Sequence, residues 1–285
     1  MSNTATPSKP FRNPVTGTAI GENAMLLVLA IIIAVPALVV VISSFKSQGE
    51  IIKSPLSIPT KPSLDGYRSA KDVNILRALR NSALVVAFSV PITTFFAAMT
   101  AFVITRLEGW MSRAFFLLFA IGLAIPAQVI GVQQSALFID LHLNNSFRGL
   151  VLINVAATLP VSIFILTGFM RTLPKELFEA ATIDGASHWR TFRSVATPLS
   201  MPSIAAVSIF LFVMHWNDLF YPYLLISDNA KATLPVAIAS FRGEFSTNYP
   251  GLFAGLAIAS APMIAAYVFA QRWFVAGLTS GAVKG

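Results

Sequence analysis

Residues 150–170 read LVLINVAATLPVSIFILTGFM, and residues 171–200 read RTLPKELFEAATIDGASHWRTFRSVATPLS. The first run has no charged residue and is long enough to cross a bilayer, which takes about 20 apolar residues. The second run, called the polar island below, cannot be a span, because each charge at the bilayer centre costs about 3 kcal/mol. Its seven charged residues are Arg171, Lys175, Glu176, Glu179, Asp184, Arg190 and Arg193.

The overall composition also points to a membrane. The chain has 285 residues, of which 55% are hydrophobic and 11% are charged, and its mean hydropathy is +0.73. Soluble domains carry about 25% charged residues, so a water-soluble fold is excluded. Cysteine is absent from the sequence, which excludes disulfides and thiolate metal sites. The net charge is +8, but no basic stripe interleaved with aromatic residues is found, so we do not expect nucleic acid as a partner. Basic residues in the loops of a membrane protein instead suit anionic membrane lipids.

Apolar segments of spanning length recur along the chain. Strict alternation of apolar and polar residues, which is typical of barrel strands, is not found. The predicted fold class is therefore all-α, a polytopic membrane protein with six transmembrane helices. Internal prolines predict kinks in these helices, which packed membrane helices tolerate. The six predicted spans are residues 24–44, 82–105, 114–139, 150–170, 202–226 and 251–271.

The spans divide the chain into regions. Residues 1–23 are rich in Ser, Thr and Pro and are predicted to form a disordered tail. Residues 24–275 are predicted to form the six-helix transmembrane domain, and residues 276–285 a C-terminal tail. Inside that domain, residues 45–81 are the longest predicted loop, and the polar island joins the fourth and fifth helices.

The distribution of Lys and Arg predicts the orientation of the chain. With the N-terminus inside, the inner and outer segments each hold ten basic residues, and seven of the outer ones lie in residues 45–81. When that long loop is left out of the count, ten basic residues lie in the inner segments and three in the outer segments. We therefore expect both termini and the polar island to be cytoplasmic and residues 45–81 to be external.

The polar island itself has a helical pattern. Pro174 is tolerated in a first helical turn, Glu176 is favourable near a helix N-terminus, and Gly185 is predicted to end this helix in a left-handed conformation. A second short helix is predicted to end at Pro198. Two amphipathic helices of this kind either lie in the lipid headgroups or dock on a partner, and the pattern leaves both interpretations open. Apolar faces are predicted from Leu173, Leu177, Phe178 and Ala181 in the first helix, and from Trp189, Phe192 and Ala196 in the second.

The polar island carries a signature with the spacing E-A-A, three residues, G, nine residues, I-x-L-P. Here it reads Glu179-Ala180-Ala181, Gly185, and Val195-Ala196-Thr197-Pro198, with Val195 and Thr197 departing from the pattern. With this signature the chain resembles the permease subunits of binding-protein-dependent ABC importers, in their carbohydrate-uptake, maltose-type branch. The resemblance covers residues 67–285. It includes NSALVV at 81–86, Trp216-Asn217-Asp218, LPVAIASF at 234–241 and QRWFVAGLTSGAVKG at 271–285.

The resemblance implies a function and a set of partners. The polar island would be the coupling helix, which transmits closure of two cytoplasmic ATPase subunits to alternating access of the permease to a sugar. ATP and Mg would be bound by those subunits and no cofactor by this chain, which would be non-catalytic. A second, different permease chain, an extracytoplasmic solute-binding protein and a bacterial inner-membrane location are also implied. The implied ATPase-coupling residues are Glu179, Ala180, Ala181, Asp184, Gly185 and Pro198.

Polar residues inside the predicted spans are candidates for contact with the sugar. Interhelical hydrogen bonding is the alternative role for each of them. The three histidines, His142, His188 and His215, are too scattered to predict a metal site, and a phosphate loop of the form G-x-x-x-x-G-K-[ST] is not found. The pathway candidates are Gln128, Gln133, Gln134, Asn154, His215, Trp216, Asn217 and Asp218.

Two other classes of membrane protein are weighed against the importer. An ion-coupled secondary transporter of a small polar solute commonly has related halves and mid-membrane ionisable groups. An internal repeat is not found here, and Asp218 alone approaches such a group. A channel or membrane scaffold would not require the signature in the polar island.

Overall fold

The computed structural model describes residues 17–243 and 245–282, and these confirm the all-α prediction. Outside the helices, the part described contains one isolated bridge, between Arg242 and Thr247, and no β-strand. Residues 1–16 of the predicted N-terminal tail and 283–285 of the predicted C-terminal tail lie outside the described residues. The first half of the chain contains α1 (Gly17–Ser43), α2 (Gln48–Lys53), α3 (Asp65–Asp72), α4 (Ile75–Arg106), α5 (Gly109–Gly122), α6 (Ala127–Asp140) and α7 (Phe147–Met170).

The second half begins with the polar island and ends in the longest helix. A π-helical turn, Phe192–Ala196, lies between α9 and α10, and a 3₁₀ turn, Asn229–Lys231, follows α12. The helices are α8 (Glu176–Ile183), α9 (His188–Thr191), α10 (Thr197–Leu199), α11 (Met201–Trp216), α12 (Phe220–Leu225), α13 (Leu234–Ala239) and α14 (Tyr249–Ala282).

Four helices are long and apolar enough to span a membrane, namely α1, α4, α7 and α14. The total over the described residues reaches six only if each of two bent helix pairs counts as one span. The prediction of a single third span differs from the structure, where α5 and α6 meet at 92°. Pro126 stands just before α6 in extended backbone, and a proline also disfavours helical backbone in the residue before it. Pro126 therefore accounts for the position of the break.

The predicted fifth span, residues 202–226, is also not one helix. It comprises α11, a break at residues 217–219 and the short α12. The helical run His188–Leu199 bends by 78° into α11. The first helix also differs from the prediction, because it starts at Gly17 and the span was predicted to start at residue 24.

The bundle is organised around α4 and α7, which pack extensively on each other along their lengths. Side chains from α4, α7 and α11 form one core cluster that also receives residues of the polar island, as described below. By contrast, α1 packs mainly on α14, and its apolar side chains stay uncovered. Because α4 starts after α3 and ends near α8, the polar island and residues 44–74 lie at opposite ends of the bundle.

The predicted external loop is folded rather than extended. It contains α2 and α3, and its last residues already belong to α4. Lys46 is fully buried and donates from Nζ to the carbonyl oxygens of Ser54 and Pro55, at 3.0 and 2.9 Å. Glu50 completes a capping box with Ser47 and accepts hydrogen bonds from the amide and hydroxyl of Thr60. The Thr60 hydroxyl is the main cause that holds the pKa of the Glu50 carboxyl below its usual value.

This loop is anchored on the start of α14. Gln48 donates to the Thr247 carbonyl oxygen at 2.8 Å and accepts from the Tyr249 amide at 3.0 Å. A Cβ atom at Gly66 would collide with the carbonyl group of Pro250, so α3 can approach α14 this closely only with glycine at that position. The loop end of the protein is therefore a packed cap.

Candidate functional site

The first helix of the polar island ends as predicted at Gly185. Its φ is +71°, in the left-handed region. The Gly185 amide donates to the Thr182 carbonyl oxygen at 3.0 Å, and the Ala186 amide donates to that of Ala181 at 2.9 Å. This pair of bonds is a Schellman motif, which satisfies carbonyl groups left over at the helix end. The glycine thus fixes the direction in which the chain leaves α8.

The second helix ends at Leu199, one residue beyond the predicted end at Pro198. It begins at His188, where the Ser187 hydroxyl accepts from the Arg190 amide at 3.3 Å, and it runs through the π-helical turn and α10. The Thr197 amide bonds to the Phe192 carbonyl oxygen, five residues earlier. The proline, which has no N–H, is accommodated at the start of the next turn, and the bend into α11 comes at Ser200.

One face of the polar island is inserted into the bundle. Phe178 and Phe192 are buried and lie with ring centroids 6.4 and 5.5 Å from that of Phe102 on α4. Ala181 and Ala196 are buried beside them. Because Ala181 packs inside the bundle, a small side chain is needed there. In this structure the Ala181 side chain does not face a partner.

Two members of the predicted apolar faces do not share this burial. Leu177 and Trp189 are both largely exposed, at 43% and 54%. Trp189 still lies near two aromatic rings, with centroid distances of 5.5 Å to the buried Phe192 and 6.5 Å to Phe95. Leu173, on the other hand, packs on the core as predicted.

The opposite face of α8 points away from the bundle. Glu179, Ala180 and Asp184 are exposed, and neither acid forms an ion pair with any described residue. Ile183 is 85% exposed and follows Glu179 by one helical turn, so both lie on the same face. The sequence-based prediction did not include Ile183. Its spacing from Phe178 and Ala181 places it outside the buried face of α8, and this spacing could have indicated that it is exposed. Gly185 and Pro198 are also exposed.

The pathway candidates do not form one cluster. Gln128 and Gln133 lie exposed on α6, and Asn154 is buried in α7. Trp216 is buried, donates from Nε1 to the Ala259 carbonyl oxygen at 3.3 Å and so links α11 to α14. Asn217 is exposed and donates to the Val213 carbonyl oxygen at 2.8 Å, at the end of α11.

His215 joins three helices. Its Nδ1 is 2.7 Å from the Ser89 hydroxyl of α4, and its Nε2 is 3.1 Å from the Thr158 hydroxyl of α7. Thr158 in turn donates to the Asn154 carbonyl oxygen at 2.6 Å. The ring is buried, so its role in this structure is interhelical hydrogen bonding.

Asp218 and Gln134 each keep a buried oxygen without a hydrogen-bond partner. Asp218 accepts from the Tyr221 amide through Oδ1 at 3.3 Å, while its Oδ2 has no donor. Gln134 Oε1 has none either, and its side chain lies beside the Tyr221 hydroxyl where α6 meets α12. Buried polar atoms are usually paired. The Tyr221 hydroxyl can donate to Gln134 Oε1 when the amide is turned over, so Asp218 Oδ2 is the acceptor for which a further hydroxyl donor would be favourable.

The described residues were compared with the arrangement that a metal ion requires. They contain no group of three or more His, Asp or Glu side chains placed to hold an ion.

Comparison with known proteins identifies relatives over nearly the whole chain. The family model described as binding-protein-dependent transport system inner membrane component matches residues 89–280. The putative ABC transporter permease protein ORF2 of Caldicellulosiruptor sp. is 34% identical over 261 residues, which cover 91% of this chain and 95% of that protein. The diacetylchitobiose uptake system permease protein NgcG of Streptomyces coelicolor is 34% identical, over 92% and 88%. The melibiose/raffinose/stachyose import permease protein MelC of Bacillus subtilis is 31% identical, over 92% and 96%.

Solved structures with the same fold include two of alginate transporters. A chain from the crystal structure of a bacterial ABC transporter involved in the import of the acidic polysaccharide alginate superposes with a TM-score of 0.75. The alignment covers 93% of this chain and all of that one, at 19% identity. A chain from a second crystal structure superposes with a TM-score of 0.59 at 15% identity. That structure is of a bacterial alginate ABC transporter in complex with an alginate pentasaccharide-bound periplasmic protein. At these identities the likeness concerns the fold.

Proposed function

Since the chain belongs to the binding-protein-dependent transport system inner membrane components, we propose that α8 is the site on which a separate ATPase subunit acts. The chain is a multi-pass membrane permease subunit of an ABC importer and is non-catalytic, with ATP hydrolysis on other subunits. This family disfavours the ion-coupled secondary transporter. The observation that carries the proposal is the two-sided character of α8, which is inserted into the bundle on one face and exposed on the other.

The exposed face of α8 has the chemistry of a docking surface. Glu179 and Asp184 offer carboxylates free for basic residues of a partner, and Ile183 offers an apolar side chain that docking would remove from water. Ala180 adds little bulk between them, which permits close approach. A helix lying in lipid headgroups would instead turn its apolar residues to the membrane and its charges to water. Here the buried apolar face packs on the protein's own core, which favours docking.

The remaining partners follow from the same proposal. Two ATPase subunits would bind ATP and Mg on the cytoplasmic side, which would then hold α8 and both termini. The folded loop between α1 and α4 would face outward and meet a solute-binding protein. The uncovered apolar surface of α1 would be covered by lipid and by a second permease chain, since such a surface is unfavourable in water.

The proposed cargo is a neutral sugar, ranging from mono- to oligosaccharide. Two of the relatives are named for uptake of diacetylchitobiose and of melibiose, raffinose and stachyose. The unpaired Oδ2 of Asp218 is an acceptor, and a sugar hydroxyl is a donor that would satisfy it. We therefore place the proposed solute path beside α6 and α12, and we retain exposed Gln128, Gln133 and Asn217 as further contacts along it.

The test compares two charge reversals at the same end of the bundle. Glu179→Lys should leave the protein in the membrane, lose the co-purifying ATPase and abolish uptake of labelled maltose, melibiose and diacetylchitobiose, whichever the wild type accumulates. Glu108→Lys is the matched control, since Glu108 is exposed and lies off α8, just before α5. Wild-type uptake and ATPase retention by Glu179→Lys would remove the docking role from α8.

A further inference from the structure

The end of α4 is fastened to α8 by a cation–π contact. Arg106 is the last residue of α4, and its Cζ lies 3.6 Å from the centroid of the Phe178 ring. The same carbon is 5.9 Å from the centroid of Phe102, one turn earlier on α4. A guanidinium over an aromatic face within about 6 Å is an attractive contact, and it strengthens as it loses water.

This contact is the closer of two side-chain contacts that join the Phe178 ring to α4. The backbone of α8 packs most closely on α9 and the π-helical turn, whereas α4 reaches α8 with the side chains of Phe102 and Arg106. Phe178 stands on the buried face of α8, opposite Glu179 and Ile183. A force applied to the exposed face would therefore reach α4 through the Phe178 ring.

Arginine suits this position better than other cations. Its planar group stacks on a ring and stays charged, whereas lysine is a compact, strongly hydrated charge. Arg106 Nε is buried without a hydrogen-bond partner, and the guanidinium forms no ion pair with any described residue. Its position at the C-terminal end of α4 is also favourable for a positive charge. The aromatic faces and the helix end are thus what hold the cation.

We propose that Arg106 is a positioning residue that makes α8 and the end of α4 move as one body when the ATPase pulls on α8. The proposal rests on the docking role of α8 given above. It assigns a transmission role to a residue outside the signature of the polar island. When the contact is removed, α8 should still dock, but its displacement should no longer be passed fully to α4.

The experiment uses the whole importer, purified through this chain with its partner subunits and reconstituted in liposomes. Uptake per ATP hydrolysed is measured with whichever of the labelled sugars above the wild type accumulates. Arg106→Ala should keep the ATPase bound and hydrolysing while uptake per ATP falls about 2- to 30-fold, the range of one cation–π contact. Arg106→Lys should recover part of the loss. The control Arg113→Ala, at an exposed arginine on α5, should behave as wild type.

A double mutant and a distance measurement separate transmission from a general structural defect. Phe178→Leu should lower uptake per ATP as Arg106→Ala does, and the double variant should be no worse than the poorer single one. Because the chain lacks cysteine, spin labels at Val103→Cys and Leu177→Cys report the distance between α4 and α8. That distance should stay constant on ATP binding in the wild type and change in Arg106→Ala.

The outcomes are distinguishable. Unchanged uptake per ATP in Arg106→Ala, together with ATPase loss in Glu179→Lys, would overturn the positioning role and leave docking in place. Loss of the ATPase from Arg106→Ala would also overturn it, since the arginine would then act in docking itself. If Glu179→Lys keeps both the ATPase and uptake, the docking role and the positioning role that depends on it are both overturned.

Discussion

Replacement of Gly185 tests whether the backbone at the end of α8 sets the docking geometry. Its φ of +71° costs an L-residue about 1–2 kcal/mol, and a β-branched residue is a genuine outlier there. A Cβ atom at this position would meet nothing within 4 Å, so the expected penalty is conformational rather than a clash. Gly185→Val should therefore move the end of α8 and displace Asp184 and Ala186. Since about 1.4 kcal/mol is a factor of ten, ATPase affinity should fall by roughly 5- to 30-fold.

The assay for Gly185→Val is uptake and ATPase retention at matched amounts of membrane-inserted protein. Gly185→Asn is the matched control, because asparagine tolerates the left-handed conformation at little cost and also adds a side chain. We expect the asparagine variant to remain near wild type. Wild-type behaviour of the valine variant would refute the backbone argument, and equal failure of both variants would show that side-chain bulk at the interface is what matters.

Three further predictions concern the folded loop and α11. The Glu50–Thr60 contact should persist at neutral pH and be lost as pH falls through the lowered pKa of Glu50, below about 4.5, seen as a smaller protection factor of the Thr60 amide hydrogen, which compares its exchange with the intrinsic rate at the same pH. Gly66→Ala should lower the free energy of unfolding by about 1–3 kcal/mol, because its Cβ atom clashes with Pro250. Gly49→Ala should not, because its Cβ atom would meet no neighbouring atom. Trp216→Phe should cost about 1 kcal/mol of stability by losing its bond to Ala259 while leaving ATPase retention unchanged.

Each of these three predictions would be contradicted by a specific result. A Thr60 protection factor that does not change between about pH 3 and 7 would show that the Glu50 carboxylate does not hold the loop. A Gly66→Ala protein as stable as Gly49→Ala would mean that α3 shifts on α14 without cost. Loss of uptake in Trp216→Phe at unchanged stability would return Trp216 to the solute path.

The fold class and the turn at Gly185 were predictable because each depends on local sequence. Long uncharged runs predict spans through the cost of burying charge, and a glycine at the end of an amphipathic helix predicts a left-handed residue. The third span was predicted to be kinked at Pro126, whereas the structure breaks it there by 92°. Packed membrane helices tolerate proline as a mild kink or as a break, and neighbouring helices decide which one occurs.

The site was predictable only in part, for a related reason. The charged residues identified the polar island, but burial of Ala181 and exposure of Leu177 depend on how α8 is rotated against the bundle. The Arg106–Phe178 contact joins residues far apart in sequence, so no local pattern could indicate it. Likewise, the missing donor at Asp218 Oδ2 depends on which side chains surround the break between α11 and α12, and the sequence does not specify them.

Photocrosslinking from Ile183 tests the docking role of α8 most directly. A photoreactive amino acid at this 85% exposed position should crosslink the assembled importer to a subunit whose sequence carries the G-x-x-x-x-G-K-[ST] phosphate loop, identified by mass spectrometry. The same amino acid at Phe245, exposed near the opposite end of the bundle, should not. Crosslinks from Ile183 to lipid alone, in an importer that still hydrolyses ATP, would contradict the docking of an ATPase on α8.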